Sequence, residues 1–427
     1  MVKICVIGTG YVGLTTGAVL ADLGHELYCV DKNKLIIEKL IEGEIPIYEP
    51  GLKELIVRNK KRGLLHFSTD IQRVIKECPI LYITVGTPTK EDGSQNLTAI
   101  NEVIDTLVQT ITSHKTIIIK STVLPGTNEW IHQTLIEKGI DSRMFDVVSN
   151  PEFLREGNAV FDMMNPDKIV VGGKSPQSIK IIQTLYEKLQ APYIITSLTG
   201  AEMIKYANNA LLATKISFIN EIARICDAYN VEVTHIAKAL GTDNRIGPYF
   251  LNAGLGYGGS CFPKDIRALE YAAKRRNVNP EMLRAVQNVN DSQIDLYIDK
   301  LTNQLTNLDG KKITVWGLAF KPDTDDIRES RSLLLIEKLL ERGTEVHAYD
   351  PIVNSFEPAI TIHHDMYEAI KGADALIIAT EWNQFKTVDW KKVNELMKGN
   401  ILVDGRNIID PKVVRKHQLQ YIGVARQ

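Results

Sequence analysis

The stretch GYGGSCFPKD, residues 256–265, sets one thiol, Cys261, after Gly258, Gly259 and Ser260 and before Lys264 and Asp265. A free cysteine is most often a small buried hydrophobe on an apolar strand or helix face. This turn-like stretch offers neither face. A nearby cation favours thiolate and glycines leave room for a substrate to approach, so Cys261 reads as a nucleophile.

A second constellation lies at the start of the chain. GTGYVG, residues 8–13, follows the strand-like run VKICVIG. In that pattern Gly8 permits a tight turn, Gly10 lets backbone approach a pyrophosphate, and Gly13 allows close helix–strand packing. The helix that follows offers free N–H groups and a favourable dipole to phosphates. Asp31 ends the next strand-like run, where a carboxylate accepts the ribose hydroxyls of NAD. Lys32 and Lys34 leave a 2′-phosphate conceivable, but Asp31 would repel it, so NAD is the expected cofactor.

Together the two constellations imply a particular chemistry. Hydride removal from an alcohol gives an aldehyde, which a thiolate traps as a thiohemiacetal. A second hydride removal leaves a thioester, and water releases the acid. Such a route needs a base, oxyanion donors and a group that activates water. Lys205 and Asn209, four apart in a helical pattern, could face one site, with Lys205 as base or donor. The plainer reading of that pair is a polar stripe on an exposed helix face. NPEFLREG supplies Glu152 and Glu156, and KSTVLPGT supplies Thr122 at a strand end. Strand ends are where α/β sites form, although they also carry idle polar residues.

The elements that must hold these residues are legible as alternating runs. KICVIG, ELYCVD, ILYITV, TIIIKST, FDVVSNP and KIVVGG read as strands separated by helical patterns, which implies a doubly wound α/β domain with a parallel sheet. From about 199 the pattern turns helical, as a domain connector or a dimer interface. Strand–helix alternation returns near 311 with KITVWG, TEVHAYD, DALIIAT and ILVDGR. The fold class expected is therefore α/β, with two Rossmann-like domains joined by a helical central region.

Bulk properties narrow the partners. A formal net charge of −2, with no basic block, argues against nucleic acid or an anionic membrane as the main partner. No apolar run has transmembrane length and the first residues lack signal-peptide character, so a cytoplasmic location is expected. Five irregularly spaced cysteines make a poor disulfide framework.

The ordered series VIGTGYVGL, VGTPT, KSTVLPGT, NPEFLREG, EMIKYANNALLATKISFINE, RIGPYFLNAGLGYGGSCFPKD, FKPDTDDIRES and VDGRN resembles the UDP-glucose/GDP-mannose dehydrogenase family over essentially the whole chain. The resemblance implies NAD-dependent four-electron oxidation of UDP-glucose to UDP-glucuronate; the alternative is GDP-mannose or an N-acetylated UDP-sugar. It implies three segments: an NAD-binding domain over 1–198, a helical dimerisation and active-site region over 199–308, and a UDP-sugar-binding domain over 309–427. Cys261 would be the nucleophile. Asp265 and Thr122 would position water, Lys205 and Asn209 would stabilise oxyanions, and either Glu152 or Glu156 would be the acid/base, Glu152 preferred, with Glu156 also near NAD.

The cofactor side would comprise Gly8, Gly10, Tyr11, Val12, Gly13, Asp31, Thr87, Thr122, Glu156, Lys264 and Arg328. For the sugar nucleotide the resemblance implies Glu152, Phe153, Leu154, Lys205, Asn209, Arg245, the loop Phe250, Leu251, Asn252 to Gly254, then Gly258, Lys321 and Arg406. A homodimer is expected, with no metal. Two departures stand out: Ile36 replaces a basic residue common in relatives, and Asn252 replaces the lysine of animal members.

Overall fold

The computed structural model describes residues 1–90, 92–355 and 360–426. The chain divides into two compact units: Met1–Asn208 with Arg267–Val278, and Asn209–Ile266 with Asn279–Gln427.

The first unit is built on eight strands: β1 (Lys3–Ile7), β2 (Glu26–Val30), β3 (Leu65–Ser68), β4 (Ile80–Ile83), β5 (Lys115–Ile119), β6 (Phe145–Ser149), β7 (Ile169–Gly173) and β8 (Tyr193–Thr196). Their order is β3-β2-β1-β4-β5-β6-β7-β8, the first six in the Rossmann arrangement. Alternating side chains feed two cores. Ile4, Val6, Ile80 and Tyr82 face one, while Cys5, Ile7, Leu81 and Ile83 face the other. Burial on both faces is why these strands read as continuous apolar runs.

The expected all-parallel sheet needs one correction. β7 runs antiparallel to β6, with Val148 opposite Gly173 and Ser149 opposite Gly172. A strand buried on both faces shows the same apolar run in either direction, so composition does not reveal its sense. β3 and β8, absent from the sequence reading, lie at the sheet's edges. Ile194 and Ile195 of β8 stay 39% and 52% exposed, so no buried run marks that strand.

The second unit contains β9 (Lys312–Trp316), β10 (Glu345–Tyr349), β11 (Thr361–His363), β12 (Ala375–Ile378), β13 (Ile401–Asp404) and β14 (Gln420–Ile422). These are all parallel, in the order β11-β10-β9-β12-β13-β14, which is again the Rossmann order. The two edge strands, of three residues each, escaped the sequence reading. Helices Leu198–Ala228, Val233–Thr242, Glu281–Asp291 and Gln293–Leu305 make up the helical middle of the chain. Ile219, Ala223 and Cys226 of the first of these join the core around Trp316 and Phe385.

Two helices carry candidate chemistry. The 31-residue central helix Leu198–Ala228 bears Lys205 and Asn209 on successive turns. The helix Phe262–Lys274 begins immediately after Cys261. Pro263 suits its first turn, where a missing N–H costs no intrahelical bond. All five cysteines are free thiols. Among the described residues, no helix is long and apolar enough to cross a membrane.

Candidate active site

In the first unit the turn after β1 is tailored to a nucleotide. Gly8 adopts φ +103°, a conformation that disfavours any side chain. A Cβ on Gly13 would lie 1.9 Å from the Gly8 carbonyl oxygen, so the helix Tyr11–Asp22 packs directly on the turn. A Cβ on Gly10 would meet nothing within 4 Å. The space beside Gly10 is open, at the N-terminus of that helix.

Asp31 stands next to β2. One of its oxygens accepts the Thr9 N–H at 2.9 Å and the Thr9 hydroxyl at 3.0 Å; the other accepts the Asn33 N–H at 2.9 Å. A carboxylate has about four lone-pair sites, so acceptor capacity remains for ribose hydroxyls. An open glycine, a free helix N-terminus and an anchored carboxylate fit NAD.

Tyr11 binds this loop to the NPEFLREG segment. Its hydroxyl donates to Glu49 and accepts the Gly157 N–H at 2.7 Å. Burial, together with the Glu49 carboxylate, pushes its phenol far up, and the charge of Glu156 adds to that effect. Val12 is half-buried in the same helical turn. Thr87 and Thr122 come together as well: the Thr87 hydroxyl donates to the Thr122 carbonyl at 2.6 Å. Gln95, which sequence reading missed, donates to that same carbonyl at 3.0 Å and to the Tyr206 hydroxyl at 2.9 Å.

Glu152 and Lys205 form a buried ion pair at 3.1 Å, with side chains only 7% and 4% exposed. The Leu154 N–H donates to Glu152 at 2.6 Å. Burial alone would raise the Glu152 carboxyl. Lys205, the Leu154 N–H and the charge of Lys120 outweigh it, holding the group below its usual range. Phe153 lies under two ammonium groups, Lys168 at 4.4 Å and Lys205 at 5.4 Å from its ring centre.

In the second unit Cys261 is partly exposed. Its carbonyl accepts the Asp265 N–H at 2.9 Å, so it caps the helix Phe262–Lys274 rather than sitting in a flexible turn. The Ser260 hydroxyl lies 3.5 Å from its sulfur. The helix N-terminus favours negative charge there. Asp265 is fully buried and accepts the Asn209 amide at 2.6 Å and the Lys264 ammonium. Lys205 and Asn209 are each only 4% exposed, which overturns the plainer reading of an exposed polar stripe.

The glycine-rich loop before Cys261 is closely packed against its own unit. A Cβ on Gly258 would lie 2.2 Å from the Glu329 carbonyl oxygen, and one on Gly259 would lie 2.6 Å from the Phe320 ring. On the side where a Cβ would stand, these glycines make room for the chain's own backbone and ring. A Cβ on Gly254 would likewise lie 2.7 Å from the Gly405 carbonyl oxygen, while the Gly254 N–H donates to Asn220 at 2.8 Å.

Of the proposed sugar-nucleotide residues, Phe250 has φ +64°, Leu251 is buried and Asn252 is exposed. Arg406 donates to the carbonyls of Ala379 at 2.7 Å, Gly256 at 3.2 Å and Phe320 at 3.4 Å, so it organises the loop as well. The Lys321 ammonium lies 6.0 Å from the Phe320 ring centre. The Arg328 carbonyl accepts the Gly259 N–H at 3.0 Å, and its guanidinium pairs with Asp326. Arg245 is not drawn in with these residues: it is exposed and pairs with Asp243 at 2.6 Å.

Two further residues clamp the loop. Asn290 pairs with both backbone groups of Tyr257, at 2.8 and 3.1 Å, and Arg331 donates to Leu255 at 3.2 Å and Asn290 at 2.7 Å. No local motif marks either residue, because the contacts span more than 30 positions. Lys120 had a local signal that went unread: a lysine closing the apolar run TIIIK.

Residues 2–190 match the NAD binding domain of the UDP-glucose/GDP-mannose dehydrogenase family, 199–292 its central domain and 314–411 its UDP binding domain. The chain is 49% identical to Bacillus subtilis YtcA over 99% of its own length and all of YtcA. It is 43% identical to the Bacillus subtilis UDP-glucose 6-dehydrogenase TuaD, covering 96% of this chain and 90% of TuaD. Among solved structures, a UDP-glucose dehydrogenase from Pyrobaculum islandicum superposes with a TM-score of 0.93 at 35% identity, over 100% of this chain and 98% of that one.

Proposed function

The chain belongs to the UDP-glucose/GDP-mannose dehydrogenase family, NAD-dependent enzymes of nucleotide sugars, and from that premise we propose that it oxidises UDP-glucose to UDP-glucuronate. The observation that carries the reading is the pair of buried contacts on successive turns of the central helix. Lys205 meets Glu152, and Asn209 meets Asp265, one turn beyond Cys261. Buried charges of this kind are costly to desolvate, and perturbed ionisable groups cluster at functional sites.

Gly8 to Gly13 and Asp31 would hold NAD, and two NAD molecules bound in succession would each accept one hydride. Tyr11, Val12, Thr87, Thr122, Glu156, Lys264 and Arg328 are assigned to the cofactor by the family pattern. The substrate's primary alcohol gives up a hydride and a proton to become an aldehyde. The Cys261 thiolate then adds to the carbonyl carbon, and the oxygen takes a proton, forming a thiohemiacetal. Lys205 and Asn209 donate to that oxygen while it carries charge. Loss of a second hydride and a proton leaves the thioester. Water held by Asp265 and Thr122 adds to it, Glu152 moves the proton, and cleavage of the C–S bond returns the thiolate with a carboxylate product.

Phe153, Leu154, Arg245, the loop Phe250 to Gly254, Gly258, Lys321 and Arg406 are assigned to the sugar nucleotide, within a three-segment layout of 1–198, 199–308 and 309–427. A homodimer through the central helix is part of the proposal. Leu211, Phe218 and Ile225, seven apart, stay 62%, 47% and 50% exposed on that helix, a stripe suited to a second copy. Light scattering of the purified protein tests the mass. Five free thiols support a reducing, cytoplasmic setting.

The deciding experiment gives limiting UDP-glucose and excess NAD, and counts NADH per sugar for the wild type and Cys261→Ser. Two NADH per sugar, with turnover abolished or stalled in the variant, is expected. One NADH with an indifferent variant would replace the thioester route by a two-electron oxidation. No NADH would move the assignment to GDP-mannose or an N-acetylated UDP-sugar.

A further inference from the structure

Lys120 directly follows β5, at the carboxyl end of the first unit's sheet, and is 6% exposed. Its ammonium donates to the Asn150 side-chain oxygen at 3.2 Å and to the Asn150 carbonyl at 3.4 Å. Asn150 directly follows β6, and its amide donates to the Val170 carbonyl of β7 at 2.9 Å. The Tyr186 ring centre lies 5.9 Å from the ammonium, and its hydroxyl reaches Asn150 at 3.3 Å and Tyr82 at 3.2 Å. Lys120 thus sits in a buried network on amide oxygens and a ring, two residues upstream of Glu152 by way of Asn150.

A buried ammonium carries a desolvation penalty that an apolar side chain of similar volume would avoid. Packing therefore gives no reason for a charge at this position. The charges that Lys120 acts on do give one: it attracts Glu152, from the loop after β6, and repels Lys205, from the central helix. Tyr186 faces it, and Tyr82 behind Tyr186, as phenols that burial keeps neutral, and Lys168 presses on Lys205 from beside β7.

We propose that Lys120 is a positioning residue for the Glu152–Lys205 pair. Its ammonium, tethered to Asn150, fixes the backbone that presents Glu152 and supplies the positive charge that sets the balance between the two partners. Burial lowers Lys120 itself to about 8, with Glu152 opposing that shift and Lys205 adding to it. The sign follows directly: without the cation, Glu152 loses a stabilising charge and rises.

The inference rests on the proposed oxidation of UDP-glucose, and its test separates the two. Turnover is measured against pH at saturating UDP-glucose and NAD for the wild type, Lys120→Gln and Lys120→Arg. Lys120→Gln should move the acidic limb of the profile to higher pH by about one unit, with NAD affinity unchanged; Lys120→Arg should leave that limb in place. A uniform loss of rate with that limb unmoved, or equal displacement by Arg and Gln, would overturn the proposal.

A second measurement needs neither turnover nor a folded Lys120 variant. The ε-carbon resonance of Lys120, labelled with ¹³C, is followed against pH in the wild type and in Glu152→Gln. A midpoint near 8 that falls in Glu152→Gln supports the coupling. An ordinary lysine midpoint, indifferent to Glu152, would refute it. A wild type that fails to reduce NAD with UDP-glucose would count against the substrate alone and leave the resonance test standing.

Discussion

Two glycine-rich loops, one in each unit, look alike in composition and differ in what fills them. At Gly10, beside β1, a Cβ would meet nothing within 4 Å. At Gly258, before Cys261, it would strike the Glu329 carbonyl oxygen at 2.2 Å. The first loop leaves room for a ligand; the second is already occupied by its own chain. A cluster of glycines therefore signals close approach, but not of what.

The comparison can be broken most forcefully at Gly258. Gly258→Ala should cost about 3 kcal/mol or more, because rigid backbone rather than a flexible side chain must move, and should displace the loop that carries Cys261. Thermal denaturation and turnover check both effects. An unchanged Tm would mean that the close approach of the Glu329 carbonyl to Gly258 does not hold the loop.

A smaller effect is expected at the clamp. Asn290→Ala strands the buried N–H and carbonyl of Tyr257 and should cost about 2 kcal/mol in denaturant unfolding.

The smallest effect on stability, and the sharpest contrast, belongs to Gly10→Ala. Its backbone, at φ −75° and ψ −169°, accepts alanine. Stability should therefore stay within about 0.5 kcal/mol, while the NAD dissociation constant rises about tenfold, or about 1.4 kcal/mol. Calorimetric titration with NAD reads the second quantity. Lost stability with unchanged affinity would erase the distinction between the loops.

Much of the fold was legible because its signals are local. Strands buried on both faces, such as Lys3–Ile7 and Ile80–Ile83, must be apolar throughout, and a period of that kind is visible without a structure. The edge strands Tyr193–Thr196 and Gln420–Ile422 were not legible, because half-exposed or three-residue pairing leaves no apolar run. The reversed strand Ile169–Gly173 was invisible for a different reason: direction is a property of pairing, not of composition.

The candidate site divides along the same line. The sequence by itself determined the residue types that can do the chemistry: the thiol of Cys261, the GTGYVG turn, Asp31, and the four-residue spacing of Lys205 and Asn209. It also determined the family, through motifs preserved in order. Only the tertiary structure decided that Lys205 is paired with Glu152, that Asp265 receives Asn209, that Gly258 and Gly259 serve packing, and that Lys120, Asn290 and Arg331 hold what the motifs present. The physical reason is one of range. Turn and helix preferences act over a few residues, whereas burial and charge pairing depend on neighbours that the folded chain brings from tens of positions away.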